Sequence, residues 1–162
     1  MYNSIGDLCR QADDRGTALW EIVLENEMLI SGKSESDIYK ELKRRFEVME
    51  VSASRALDRP FDTVGNLITG SANTQYRYTK ENGGICGEFM NEAMALALSC
   101  CEINASMGKI CAAPTAGSCG ILPAVLIAVR NRYLFEDKIV YQGMLTASGI
   151  GAVVMKNATV AG

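Results

Sequence analysis

The chain divides into two styles of patterning. Between residues 5 and 57 apolar side chains recur at helical spacing. Ile38, Leu42, Phe46, Met49, Ala53 and Leu57 fall every three or four positions, with Glu41, Lys43, Arg44 and Glu47 on the other side. Leu19, Ile22, Val23 and Leu29 mark a helix before it, which Gly32 closes. Ser34 followed by Asp37 has the spacing of a capping box and starts the second helix, which Asp58-Arg59-Pro60 stops. The pattern therefore predicts two amphipathic helices, a hairpin over residues 1–60. Such a hairpin is scaffold or docking surface, and no chemistry is assigned to it.

Residues 61–87 are polar and rich in turn formers: Gly65, Thr69-Gly70-Ser71, Asn73 and Asn82-Gly83-Gly84. A connection of that length reads as a loop region, either a functional binding loop or an exposed connector. From Glu88 to the end, residues 88–162 read as buried helices. Glu88 to Ala105 is apolar nearly all round. Ile110–Val129 is a run of 20 residues without a charge, and Ile139–Met155 another of 17. These lengths approach a membrane span, but only seven of the first 20 residues are Ile, Leu or Val, and two prolines and two glycines interrupt them. A loop feeding a buried helix is the better reading, and no membrane partner is expected. Strand patterns and strand–helix alternation are lacking, so the expected fold class is all-α.

Composition narrows the chemistry. The 162 residues are 48% apolar and 22% charged, which suits one globular domain, and a net charge of −3 gives no basic excess for a nucleic-acid partner. The chain has no histidine, so Ser-His-Asp and Cys-His catalysis and imidazole metal sites are excluded from these residues. Six cysteines, at 9, 86, 100, 101, 111 and 119, include no Cys-x-x-Cys pair, and adjacent Cys100 and Cys101 read as small core residues. Without an export-type leader the thiols are expected to be cytoplasmic and reduced.

The segment that carries chemistry is residues 104–123. A loop of Gly, Ser, Thr and small residues feeds directly into a helix, which leaves backbone N–H groups converging at the positive end of a helix dipole. Ser118 is placed to cap that helix, Pro123 is expected within its first turn, and Gly117 and Gly120 permit close backbone approach. The implied ligand is a small anion such as a carboxylate. The spacing meets neither nucleotide-binding glycine motif.

The run Met107-Gly108-Lys109-Ile110-Cys111-Ala112-Ala113-Pro114-Thr115-Ala116-Gly117-Ser118-Cys119-Gly120-Ile121-Leu122-Pro123 strongly resembles the signature of the iron-sulfur-dependent L-serine dehydratases (L-serine ammonia-lyases). Glu102-Ile103-Asn104-Ala105-Ser106 before it, Ala124-Val125-Leu126 after it, and the beginning of the chain resemble the α subunit of that family too. The resemblance implies a carbon–oxygen lyase that converts L-serine to pyruvate and ammonia in amino-acid degradation feeding gluconeogenesis. It implies a 4Fe-4S cluster in the full enzyme, no pyridoxal phosphate, a cytoplasmic location and a β subunit partner. It assigns the substrate carboxylate to Pro114, Thr115, Ala116, Gly117, Ser118 and Gly120, with Ser106 as a further hydroxyl donor. Thr69 and Gly70 match a Thr-Gly pair of the family, and Lys109 is a candidate catalytic residue.

The cysteines that hold the cluster in that family lie beyond a segment resembling Asn157 to Gly162, and none of the six here matches them. The sequence is thus expected to be the N-terminal portion of the α (catalytic) domain over residues 1–162, a truncated piece of a larger helical domain. By itself it should have no metal, no cluster and no activity, and its uncovered helices favour self-association. The alternative is a non-catalytic helical interaction module. The α-proton base, serine against threonine preference and oligomeric state stay open at this level.

Overall fold

A computed structural model of the chain describes residues 1–113, 115 and 117–157. Pro114 and Ala116, both expected in the substrate loop, lie outside the described residues, as do residues 158–162. Among the described residues there are seven α-helices and no strand, so the fold is all-α. None of these helices is long and apolar enough to cross a membrane. The described residues form two compact units, one made of those in 1–44 and from 136 onward and the other of those between 45 and 135.

The first unit begins with α1 (Ile5–Arg15) and α2 (Leu19–Ser31). The expectation of two helices over residues 5–57 is corrected here to three. Gly16 adopts the left-handed conformation (φ 61°) and turns its amide onto the Ala12 and Asp13 carbonyls, which ends α1 before Leu19 restarts the helical pattern. Gly32 closes α2 in the same way, its amide bonding the Met28 carbonyl. The helix α3 (Glu35–Ser54) starts where Ser34 Oγ accepts the Asp37 amide at 3.2 Å. It ends at Ser54, ahead of the Asp58-Arg59-Pro60 stop. The early part of α3 and α7 (Asp137–Asn157) complete this unit. Leu8, Ala12, Ile22, Val23, Leu24, Ile38 and Leu145 form its core. α7 comes close to α2: a Cβ at Gly149 would stand 3.3 Å from Val23 Cγ1 and 3.0 Å from the Tyr2 hydroxyl.

The second unit holds the end of α3, then α4 (Ser71–Asn82), α5 (Gly87–Ala105) and α6 (Ser118–Tyr133). α4 occupies half of the stretch expected to be loop. Its polar sequence shows no apolar stripe and buries only Ala72 and Thr79, so periodicity does not reveal it. Polar contacts hold it: Asn73 Nδ2 donates to the Leu57 carbonyl at 2.6 Å, and Gln75 Nε2 to Asn91 Oδ1 at 2.7 Å. α5 is locked to α3 by Ser99, whose hydroxyl donates to the Ser52 carbonyl at 2.8 Å and accepts the Ala56 amide at 3.1 Å. α5 is not buried all round, because Met90 and Met94 are 50% and 40% exposed. α6 packs on α5 where Gly120 meets it: a Cβ there would lie 3.2 Å from the Ala97 carbonyl. Arg130 joins α6 to α3 through Glu50 at 2.7 Å, over the ring of Phe46.

Candidate functional site

Contacts along the helices fix their directions. Ala72 of α4 meets Glu102 of α5, while Gln75 meets Asn91. Gly120 of α6 stands against Cys101, while Asn131 bonds Glu92. Both pairs are therefore antiparallel. The C-terminal end of α5 lies beside the N-terminal ends of α4 and α6, so two positive helix ends point to the same end of this unit.

At that end the chain makes three turns. The first is the segment before α4. Val64 N–H donates to the Ala105 carbonyl at 2.9 Å, and the Thr63 and Thr69 hydroxyls are 3.2 Å apart. Gly70 precedes the helix at φ 75°, where a Cβ would stand 3.3 Å from Pro60 Cγ, so both the backbone angle and the space call for glycine. The second turn ends α5. Met107 N–H bonds the Asn104 carbonyl at 3.1 Å and Gly108 N–H the Ile103 carbonyl at 2.8 Å, with Met107 left-handed at φ 59°. That is a Schellman arrangement with a residue other than glycine in the left-handed position. Ser106 sits inside it, its amide and hydroxyl both donating to the Glu102 carbonyl.

The third turn opens α6. Thr115 Oγ1 accepts the Ser118 amide at 3.2 Å, and Ser118 Oγ accepts the Thr115 amide at 3.0 Å. Thr115 Oγ1 further donates to Ser118 Oγ at 2.9 Å, and Ser118 Oγ to the Thr115 carbonyl at 2.8 Å. The pair is reciprocal: Thr115 Oγ1 takes the first helix amide, whereas Ser118 Oγ takes the Thr115 amide ahead of the helix, and Gly117 holds the N-cap position. The expected Ser118 cap is corrected accordingly, because α6 already begins at Ser118. The same early start places Pro123 inside α6, beyond its first turn, buried and without an amide to give the Cys119 carbonyl.

The structure thus brings Thr69, Gly70, Ser106, Thr115, Gly117, Ser118 and Gly120 to one end of the second unit. Gly117 is open, with nothing within 4 Å of where its Cβ would be. The close approach at Gly120 is to α5, and its amide bonds the Gly117 carbonyl. Lys109 is exposed and makes no ion pair among the described residues.

Glu102 is the residue that sequence reasoning passed over. It is 1% exposed, its Oε1 accepts the Ala72 amide at 2.9 Å, and its Oε2 has no hydrogen-bond partner among the described residues. The available signal was its position as the one charge between Glu92 and Lys109.

Burial works against the thiolate form at three of the six cysteines. Burial pushes the Cys100 thiol up to about 11, and burial also raises Cys101 and Cys111. Ligating sulfur has to be thiolate, which these surroundings disfavour. Among the described residues no group of three or more His, Cys, Asp or Glu side chains could hold a metal ion.

Residues 14–162 match the family model described as serine dehydratase alpha chain. The chain belongs to that family. It is similar to the "L-serine dehydratase, alpha chain" of Peptoniphilus asaccharolyticus, with 41% identity over the whole chain and 56% of that relative. The "Probable L-serine dehydratase, alpha chain" of Bacillus subtilis (strain 168) is 28% identical over the whole chain and 54% of its own length. The "L-serine dehydratase" of Haemophilus influenzae is 28% identical over 99% of this chain and 36% of its own. The chain therefore spans about half the length of the α-chain relatives.

Proposed function

We propose that this chain forms the substrate-carboxylate end of an L-serine dehydratase. The observation that carries the reading is the Thr115–Ser118 reciprocal cap at the start of α6, at the same end as Gly70 and Ser106. A carboxylate arriving there meets the positive end of α6 and the Thr115 hydroxyl. That hydroxyl donates to Ser118 Oγ and can turn its hydrogen bond to the ligand instead. Ser106 offers a second hydroxyl, released from the Glu102 carbonyl. Pro114 and Ala116 belong to the same loop by sequence. Lys109, exposed beyond Ser106, serves as long-range positive charge.

The reaction removes the α-proton and the β-hydroxyl of L-serine as water. The resulting 2-aminoacrylate tautomerises to the imine, and a second water releases ammonia and leaves pyruvate. The 4Fe-4S cluster implied by the family resemblance finds no fitting ligand set among the six cysteines of this chain. We read the cluster as held by residues other than these, and the chain as inactive on its own. No pyridoxal phosphate takes part.

Exposed Met90, Met94, Ile121 and Val125 on α5 and α6 favour cover by another chain, which we assign to a β subunit, with self-association in its absence. The location is cytoplasmic. The same exposed residues favour the second reading, a non-catalytic helical interaction module.

The test joins this chain to the remaining part of the Peptoniphilus asaccharolyticus α chain. Anaerobic iron and sulfide reconstitution is carried out with the β chain present. Pyruvate and ammonia formed in equal amounts from L-serine support the dehydratase reading. A cluster without turnover, while the intact relative turns over in parallel, supports the interaction module.

A further inference from the structure

Glu102 is more expensive than its visible task requires. Accepting one amide at the start of α4 is work that a neutral serine or asparagine does elsewhere. A buried carboxylate with one oxygen unpartnered bears a desolvation cost that its single hydrogen bond does not offset. Glu102 follows Cys101, against which Gly120 of α6 packs, and its backbone carbonyl receives the Ser106 amide and hydroxyl. It therefore stands within the three-turn end described above, its carboxylate at the positive end of α4.

This arrangement is polarised. The start of α6 carries open positive potential, whereas the start of α4 is already matched by the Glu102 carboxylate. A ligand with a single negative charge gains at α6 and loses near Glu102. A zwitterion gains at both, provided its cation reaches the carboxylate. We infer that Glu102 is a specificity-determining residue, whose unpartnered Oε2 accepts the α-ammonium of an amino acid, directly or through one water, while the carboxylate of that ligand lies at the Thr115–Ser118 turn. The inference rests on the reading of this end as an amino-acid site. It adds the group that separates an amino acid from a simple hydroxy acid.

The test titrates the chain with L-serine and with 3-hydroxypropionate, which keeps the carboxylate and the β-hydroxyl but has no ammonium. Binding is followed by amide NMR for the unsubstituted chain and for Glu102→Gln. Gln can still accept the Ala72 amide through its own oxygen, but it puts an NH2 where Oε2 stood. The expected result is a loss of L-serine affinity of about tenfold or more in Glu102→Gln, with 3-hydroxypropionate affinity kept or improved, since the repulsion on a simple anion is relieved. In the unsubstituted chain the Ala72 amide, bonded to the same carboxylate, should shift with L-serine and stay in place with 3-hydroxypropionate. Equal losses for both ligands, or no loss for either, would reduce Glu102 to a structural cap and overturn the inference. If Glu102→Gln does not fold, the Ala72 amide decides alone, and an equal response to both ligands overturns it. Binding of neither ligand to the unsubstituted chain would instead remove the carboxylate site itself.

Discussion

Cys100 faces Ser52, with the sulfur 3.6 Å from the serine hydroxyl, and burial is the main reason its thiol is held at about 11. Cys86 is exposed. Under native conditions at neutral pH a small alkylating reagent should therefore label Cys86 quickly and leave Cys100 intact until the chain unfolds, which mass spectrometry of the peptides would check. The sign of the linkage also follows. A thiol whose ionisation is raised by folding contributes stability that is fully present below about 9 and is lost as the pH rises towards about 11. Denaturation midpoints should fall over that window. Early modification of Cys100 in the folded chain would contradict its place in the core. At this scale Thr115 and Ser118 were legible as hydroxyls beside a helix start, although the pattern assigns the cap to Ser118 and the helix amide goes to Thr115. Glu102 was not, because a glutamate in an amphipathic helix ordinarily faces water, and only tertiary packing buries this one.

Among the elements, the turn closing α5 depends most sharply on a single residue. A Cβ on Gly108 would stand 2.6 Å from Ile103 Cγ2 and 2.8 Å from the Ile103 carbonyl, and the carbonyl belongs to the helix end itself. Gly108→Ala should cost about 1–3 kcal/mol, the usual range for forcing atoms into a filled space. Gly117 has a right-handed backbone and open surroundings, so Gly117→Ala should be neutral or gain about 0.4–1 kcal/mol from the unfolded state. Urea titrations of the two variants should separate in those opposite directions, and equal effects would contradict the turn geometry. The elements differ in how openly the sequence declared them. α3 follows from apolar spacing, and α5 from a segment that is apolar along most of its length. α4 does not, since its twelve residues bury almost nothing and are held by Asn73, Gln75 and Glu102 from outside the local pattern. The break between α1 and α2 depends on the left-handed Gly16, a single residue inside a stretch whose apolar periodicity runs on regardless.

For the molecule as a whole, the all-α class was legible from the absence of strand patterning and the long uncharged runs. The division into two units was not, because residues far apart in the chain, such as Ile22 and Leu145, share one core. The same distance in sequence hid the convergence of Gly70, Ser106 and Thr115, which only the antiparallel run of α4, α5 and α6 creates. The central claim is that this convergence holds the carboxylate of L-serine. The most direct measurement is the KM for L-serine of the joined α chain with its β partner, unsubstituted and as Thr115→Val with Ser118→Ala. Losing hydrogen bonds to a charged ligand should raise KM about tenfold or more while kcat changes less. A KM equal to that of the unsubstituted enzyme would place the substrate carboxylate elsewhere.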